Sequence, residues 1–188
     1  MGRIKAIITD FDGTLVDTLM SNFFAYREAF ESFDYQLSLN DYRQCYGLRF
    51  DAFCDKMNIK QDDRKQIKEL KKKIYPAYFS HTRLNESLMR FIKSAKQMGM
   101  RTCIASTATR ENLCGLLKYF NIESYFDIII TGENVSKGKP DPEVYIKAMN
   151  LLECEPEEAI VFEDSDIGCE AAENADLNYI KVTEFNYE

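Results

Sequence analysis

The sequence predicts an α/β fold, with a parallel sheet at its centre and a helical segment inserted after the first strand. The apolar run over residues 4–9 shows little alternation, which is typical of a central parallel strand covered on both faces. Later runs over residues 101–107, 127–132 and 159–165 repeat the order of strand, polar residues and helix. Residues 18–84 instead carry aromatic side chains at helical spacing.

Two carboxylates follow the first strand directly. Asp10 and Asp12 stand two positions apart at its carboxyl end, where ligands of open parallel sheets collect, and Gly13 lets the backbone curl around an anion. Like charges packed this closely require a cation between them or a protonated member. The pair therefore predicts a divalent metal, a raised pKa, or both. The alternative is an ordinary Asp-Gly turn.

Hydroxyl side chains follow the second strand. Ser106 and Thr107 precede a helix predicted over residues 109–119. Hydroxyls and free N–H groups at the start of a helix form an anion site. The alternative, that one of the two side chains caps the helix, is compatible with this role, because a cap also presents its neighbours' amides.

A lysine follows the third strand. Lys139 precedes Pro140, which disfavours helix at the lysine, and a new helix is predicted to begin near Asp141. A lysine held in this way can neutralise the acids and a phosphate. We choose Lys139 over Lys137, because Lys137 lacks the adjacent proline and is typical of a solvated loop.

Acids end the fourth strand. Carboxylates at this position supply hard oxygen ligands for Mg²⁺. We expect Asp164 to be the ligand, Glu163 to be an outer or water-mediated partner, and Asp166 to cap the helix that follows.

Taken in order, these segments resemble the haloacid dehalogenase superfamily. Its signature is DxDGT, then Ser or Thr, then Lys, then a closing acidic pair. The GKPDPEVY form at residues 138–145 and the EDSxxG form at residues 163–168 are similar to its β-phosphoglucomutase and phosphoglycolate phosphatase branch. The resemblance implies a Rossmann-like three-layer core from residues 1–17 and 85–188, and a small α-helical cap from residues 18–84.

The resemblance also implies residue roles. Asp10 is then the nucleophile that forms an aspartyl phosphate, and Asp12 is the general acid and base. Mg²⁺ is held by Asp10, the main-chain carbonyl of Asp12 and Asp164, with Glu163 as a possible fourth residue.

The phosphate-binding residues follow from the same resemblance. Thr14 ties down the loop, while Ser106, Thr107 and Lys139 bind phosphoryl oxygens. In the cap, Arg49 is a candidate for gripping the distal charged group of the substrate. An exposed arginine at a helix start is an equally good interpretation.

The insert is predicted to be helical throughout. Helices are expected from Ser21 or Asn22, from Asn40, and over residues 50–57 and 62–79. The aromatic residues between positions 23 and 33 are predicted to form the core of the insert, and Lys71, Lys72 and Lys73 to form a solvated face. His81, the single histidine, is expected at the surface.

Composition narrows the possible partners. The 24 basic and 31 acidic side chains give a net charge of −7, which argues against binding nucleic acid or an anionic membrane. No long apolar span or signal peptide is evident, so a cytoplasmic location is expected. The six cysteines form no CxxC pair, and Cys103 is predicted to be buried and reduced.

The function predicted from these observations is Mg²⁺-dependent hydrolysis of a small phosphomonoester metabolite through an aspartyl phosphate, by a monomer or weak homo-oligomer. A sugar phosphomutase of the β-phosphoglucomutase type is the alternative. A phospho-acceptor signalling module is disfavoured, because an acid follows the nucleophile at two residues and some 65 residues are inserted after the first strand. A scaffold that lost the chemistry is disfavoured because every expected position is filled.

Overall fold

The computed structural model describes residues 3–185, and the chain divides into two compact units. The first unit combines the residues up to Asp17 with those from Leu84 onward, and the second is Thr18–Arg83. The strands, in chain order, are β1 (Ala6–Thr9), β2 (Val16–Asp17), β3 (Arg83–Leu84), β4 (Arg101–Ala105), β5 (Ile128–Ile130), β6 (Ala159–Glu163) and β7 (Asn178–Lys181).

Helices of the second unit are α1 (Leu19–Glu31), α2 (Leu39–Arg43), α3 (Phe50–Lys56) and α4 (Gln61–Ile74), followed by a 3₁₀ segment, Tyr75–His81. Those of the first unit are α5 (Glu86–Gln97), α6 (Arg110–Tyr119), α7 (Glu143–Leu152) and α8 (Asp166–Glu173), with 3₁₀ turns at Glu123–Tyr125, Gly132–Asn134 and Pro156–Glu158.

The first unit is built on a parallel sheet with strand order β5-β4-β1-β6-β7. All of β1 is buried, and Ile8 pairs with Cys103 on one side and Val161 on the other. Apolar side chains of α7 and α8, including Val144 and Ala171, pack on one face in a single core cluster. The predicted α/β fold class is therefore confirmed, and β1 is central because it is apolar on both faces.

The second unit has an aromatic core. Phe23 and Phe30 of α1 pack with Tyr42, Phe53 and Ile67. Phe30 stacks on Phe53 with ring centroids 5.3 Å apart. This confirms the prediction that the aromatic residues of α1 form a core.

Lys71 corrects the prediction of a solvated lysine face. Its residue surface is only 5% exposed, whereas Lys73 is exposed. The ammonium donates to Asn22 Oδ1 at 2.7 Å and lies 3.8 Å from the centroid of the Tyr75 ring. A hydrogen bond and an aromatic face together compensate for the lost hydration of the charge.

Three helix starts also differ from the prediction. The helix α1 begins at Leu19, two residues early, and α2 is capped by Ser38, whose Oγ accepts from the Asp41 N–H at 3.1 Å, so Asn40 is inside it. Ser165, not Asp166, caps α8. It is extended and its Oγ accepts from the Gly168 N–H at 3.1 Å, whereas Asp166 is already helical and pairs with Lys181.

Cys103 is fully buried in β4, as predicted, and burial raises the pKa of its thiol. Between residues 3 and 185, no helix is both long and apolar enough to cross a membrane.

Candidate active site

Asp10 lies where β1 ends. Its N–H donates to the Phe162 carbonyl at 2.9 Å, which extends the pairing of β1 with β6 by one residue. The loop then folds back, because the N–H groups of Leu15 and Val16 both donate to the Phe11 carbonyl. Asp10 is therefore held on strand geometry at the carboxyl end of the sheet, with 7% of its surface exposed.

Gly13 brings this loop against the end of β6. Its φ is +90°, and a Cβ at this position would overlap the Asp164 carboxylate. The next residue, Thr14, donates its hydroxyl proton to Asp164 Oδ1 at 2.7 Å. Close approach and a left-handed backbone both require glycine here, so residues 13 and 14 together set the position of Asp164.

Asn85 supports the same loop and was not singled out from the sequence. Its side chain accepts from the Leu88 N–H at 3.0 Å, which caps α5, and donates to the Thr14 carbonyl at 3.1 Å. Its own N–H donates to the Leu15 carbonyl at 2.9 Å. An Asn before an apolar helix is an ordinary cap signal, so only the fold reveals the second contact.

Lys139 is the cation of the site. Its ammonium donates to Asp10 Oδ1 at 2.6 Å and also pairs with Glu163 Oε1, and its side chain is 4% exposed. By contrast, the Lys137 side chain is 72% exposed and pairs with Asp141. The structure therefore brings Lys139, and not Lys137, to Asp10.

The charges of this cluster shift its pKa values. Burial raises the pKa of Asp10 well above the usual range, Lys139 opposes that shift, and Glu163 and Asp164 add to it. Burial also raises the pKa of Asp164 to about 6, against the effect of the Thr14 hydrogen bond. Burial lowers the pKa of Lys139, but the facing charges outweigh it, so the net shift is upward and the ammonium is retained.

Glu163 is the most enclosed of the acids, with 1% of its surface exposed. Oε2 accepts from the N–H and the hydroxyl of Ser165, each at 3.1 Å, while Oε1 accepts from Lys139 and from the Tyr145 hydroxyl at 3.1 Å. The structure shows this carboxylate bound to Lys139, and its role as an outer or water-mediated metal partner stays a prediction.

Tyr145 was also missed. It ends the GKPDPEVY segment, but an aromatic residue in an amphipathic helix is ordinarily a core residue, so the pattern gave no reason to single it out.

Ser106 is 1% exposed, and its hydroxyl closes a turn. The N–H of Ser106 donates to the Ile130 carbonyl and its Oγ accepts from the Ala108 N–H, each at 3.0 Å. Thr107 is exposed, and Thr109 occupies the cap position of α6, so neither predicted residue caps that helix. Because β4 lies beside β1, both residues follow a strand end adjacent to Asp10.

Arg49 belongs to the second unit, where it is exposed and immediately precedes α3. His81 is exposed there too, with its ring 4.7 Å from that of Phe24. A contact of Arg49 with substrate stays a prediction.

The carboxylates suit a hard divalent cation. One oxygen from each of Asp10, Glu163 and Asp164 lies within 4.8 Å of the other two. Two buried acids and a half-buried one, with excess negative charge, fit Mg²⁺. Asp12 is half-buried and lies two residues after Asp10. It was predicted to contribute its main-chain carbonyl, and that contribution stays a prediction.

A parallel sheet with this carboxylate cluster at its carboxyl edge defines an α/β enzyme. A family model described as haloacid dehalogenase-like hydrolase matches residues 7–182, and the chain belongs to that family. The sequence is 29% identical over 184 residues to the phosphorylated carbohydrates phosphatase of Thermotoga maritima, covering 94% of this chain and 84% of that protein.

Solved structures with the same fold include two relevant examples. CbbY from Rhodobacter sphaeroides in complex with phosphate superposes with a TM-score of 0.85 at 27% identity, covering 94% of this chain and 84% of that one. The β-phosphoglucomutase of Clostridium difficile has a TM-score of 0.82 at 19% identity, covering 95% and 84%, and shows likeness of fold alone. The predictions of the family, of the fold class and of an enzyme of the phosphoric monoester hydrolase type are confirmed.

Proposed function

We propose that the protein is a Mg²⁺-dependent phosphatase that hydrolyses a small phosphomonoester through a phosphorylated Asp10. The observation that carries the proposal is the environment of Asp10. A nearly buried carboxylate at the end of the central strand accepts a hydrogen bond from a buried lysine and lies within 4.8 Å of two further acids. Such a group can act as a nucleophile toward phosphorus once its charge is balanced.

Asp10 attacks phosphorus with one carboxylate oxygen, and the ester oxygen leaves. Lys139 is placed to donate to a phosphoryl oxygen, because its ammonium already reaches Asp10 and stays charged. Bound Mg²⁺, held by Asp10, the Asp12 carbonyl and Asp164, would supply positive charge against the phosphoryl oxygens. Thr14 keeps Asp164 oriented.

Asp12 is proposed as the proton donor to the leaving oxygen and then as the base for the hydrolytic water. It is half-buried, more open than Asp10, and lies in the loop that follows β1. Two acids in different environments can hold different protonation states, as this exchange requires.

Substrate contacts are proposed at three further positions. Ser106 and Thr107 follow the strand adjacent to β1 and are assigned to phosphoryl oxygens, by hydroxyl and main-chain N–H groups. Arg49, in the second unit, is assigned to the distal part of the substrate. By analogy with the phosphatase of Thermotoga maritima, whose name specifies phosphorylated carbohydrates, we propose a phosphorylated sugar or sugar acid as substrate.

We further propose that the enzyme acts in the cytoplasm as a monomer or weak homo-oligomer. The net charge of −7 disfavours nucleic acid and anionic membranes as partners, so a small anion must be bound by local positive charge.

The test is release of phosphate from a panel of sugar phosphates, phosphoglycolate and nucleoside monophosphates, with Mg²⁺ and with EDTA. Native protein is compared with Asp10→Asn and Asp12→Asn, and Asp176→Asn, which changes a carboxyl after α8, is the control. Hydrolysis that needs Mg²⁺ and is abolished in both variants but not in the control supports the proposal. Conversion of β-glucose 1-phosphate without phosphate release would replace hydrolase by mutase.

A further inference from the structure

We propose that Tyr145 is a positioning residue, whose hydroxyl orients Glu163 so that Glu163 holds Lys139 against Asp10. The inference rests on the proposed function for its kinetic consequence, but its structural part stands by itself. Tyr145 touches neither Asp10 nor Asp164 among its described contacts, so it is assigned no chemical step.

The ring and the hydroxyl of Tyr145 have different environments. The residue is fully buried, and its ring packs in the core cluster with Val144, Ala148 and Ala105 beneath the sheet. A phenylalanine would fill the same apolar space. The presence of a hydroxyl here is therefore explained by its hydrogen bond to Glu163, since buried tyrosine hydroxyls are regularly hydrogen-bonded.

That contact is to the same oxygen that binds the lysine. Tyr145 donates to Glu163 Oε1 at 3.1 Å, and Lys139 pairs with Oε1 as well. Burial raises the pKa of the Tyr145 hydroxyl well above its usual range, so the group stays protonated and remains a donor. The other oxygen, Oε2, is occupied by Ser165.

The four donors together fix the carboxylate. Ser165 alone would leave it free to rotate about its last bond, because both Ser165 contacts are to one oxygen. The second pair, from Tyr145 and Lys139, sets the plane. The ring of Tyr145 adds a further restraint, with its centroid 5.1 Å from the Lys139 ammonium.

Lys139 is thereby held between two acids. Its side chain reaches Asp10 Oδ1 at 2.6 Å while Glu163 holds it from the other side. A long side chain has many rotamers, and the hydroxyl of Tyr145 restricts them by keeping the second acid in place, in addition to its own hydrogen-bond interaction with the ammonium. Placed charge acts on the transition state only when its position is maintained.

The experiment compares Tyr145→Phe with Thr102→Val. Both changes remove a buried hydroxyl that donates to a carboxylate in the same unit. Thr102, however, lies near the amino end of β4, away from the carboxyl edge of the sheet, and donates to Asp127. We expect Tyr145→Phe to lower kcat by about tenfold with KM within about twofold, and Thr102→Val to leave both within about twofold. Thermal unfolding confirms that both variants fold.

A double-mutant cycle with Glu163→Gln tests the route. If Tyr145 acts through Glu163, adding Tyr145→Phe to Glu163→Gln changes kcat by less than about twofold, because the carboxylate that it orients is gone. A full tenfold further loss in that background would overturn the inference, as would an unchanged kcat for Tyr145→Phe alone.

A readout independent of turnover is the acetylation rate of Lys139, followed by mass spectrometry. We expect Tyr145→Phe to accelerate the labelling of Lys139 several-fold while the labelling of Lys96 and other lysines is unchanged. Equal labelling of Lys139 in native and variant protein would refute the positioning role. If native protein hydrolyses no ester, the proposed function fails, and labelling still decides the role of Tyr145.

Discussion

Thr14 and Asp164 stand 150 residues apart in the chain, and the Thr14 hydroxyl donates to Asp164 Oδ1 at 2.7 Å. The contact joins the loop after the central strand to the end of its neighbour β6. It commits one oxygen of the Asp164 carboxylate to a neutral donor. The orientation of the proposed metal ligand is thus set by a hydroxyl.

Replacing Thr14 by valine preserves shape and removes this donor. We expect the Kd for Mg²⁺ to rise by about tenfold or more, because partners that orient a metal-binding carboxylate commonly contribute that much. Isothermal titration with MgCl₂ measures it. Ser87→Ala, which removes an exposed hydroxyl on α5, is the control and should bind Mg²⁺ like native protein. An unchanged Kd for Thr14→Val would show that Asp164 is not held by the hydroxyl.

Stabilisation by Mg²⁺ should depend on pH. Because burial raises the pKa of Asp164 to about 6 and that of Asp10 also upward, protons compete with the metal in acid. The shift of Tm by 5 mM MgCl₂ is expected to be small at pH 5 and to grow through pH 6 to 7.5. Scanning fluorimetry with an EDTA reference measures it. A shift that is constant over this range would contradict the carboxylate assignment.

Asp10→Asn should abolish activity without destabilising the metal-free protein. The raised pKa of Asp10 means that the folded state binds its proton more tightly than the unfolded state, so its contribution to stability is lost as pH rises through the folded pKa. At pH 7.5 in EDTA, Asn removes that penalty, and Glu163 still pairs with Lys139. We expect a Tm equal to or a few degrees above the native value.

Asp127→Asn is the matched control, because the pKa of Asp127 is shifted in the opposite direction to that of Asp10. Asp127 accepts from the Thr102 N–H and from Lys96, each at 2.8 Å, and its pKa is lowered because these bonds outweigh its burial. The contribution of the Asp127 carboxylate to folding stability is present at neutral pH and is lost as pH falls, so asparagine should lower Tm at pH 7.5. If both variants shift Tm in the same direction, the electrostatic account of Asp10 is wrong.

Gly168→Ala should impair both activity and stability. A Cβ at Gly168 would overlap the Glu163 carboxylate, which Ser165, Lys139 and Tyr145 hold in place. Displacing the acid also displaces Lys139, and we expect kcat to fall about tenfold or more, with about 1–3 kcal/mol of overpacking.

Gly99→Ala is the control for that variant. Gly99 has φ +84° and open space around its Cβ position, so alanine adds backbone strain of about 1 kcal/mol and no contact with the site. Its activity at 25 °C should equal that of native protein. Native activity in Gly168→Ala, measured by phosphate release, would mean that Glu163 tolerates displacement.

Glu143 should matter for activity through its contacts with the segment that precedes Lys139. It accepts from the N–H and hydroxyl of Ser136 and from the Lys137 N–H at 2.7–2.8 Å, and these bonds lower its pKa to about 2. This clamp holds the loop that leads to Lys139.

In Glu143→Gln an amide group replaces one of the accepting oxygens, so at least one of the three bonds is lost. We expect kcat/KM to fall about fivefold. The ratio between native and variant kcat/KM should stay constant between pH 5 and 8, because the Glu143 carboxylate of the native protein stays ionised throughout. Glu173→Gln, which affects a single exposed bond from Tyr179, is the control and should retain native kcat/KM. Equal kcat/KM in both variants would exclude the clamp.

Local patterns in the sequence were sufficient for the fold class. Continuous apolar runs such as Ile7 and Ile8 predict buried parallel strands, and polar residues at their ends predict where chemistry collects, because parallel strands end at one edge. The cap of α8 could not be assigned from composition. Ser165 and Asp166 are both good caps, and backbone geometry alone chooses between them.

The burial of the Lys71 charge likewise could not be predicted from a local pattern. A run of lysines is a solvated face by pattern, and only the packed positions of Tyr75 and Asn22 provide the aromatic face and the oxygen that keep one of them inside.

What the sequence by itself determined is four strands of the parallel sheet, β1, β4, β5 and β6, the family, and the identity of Asp10, Asp164 and Lys139 as candidates, because these depend on spacing and local backbone preference. The edge strand β7 was not predicted. Only the tertiary structure decided that Lys139 joins Asp10 to Glu163 and that Tyr145 shares the same oxygen. Those contacts link distant strands and a helix, and their geometry follows from how the sheet and its core pack, which no local pattern contains.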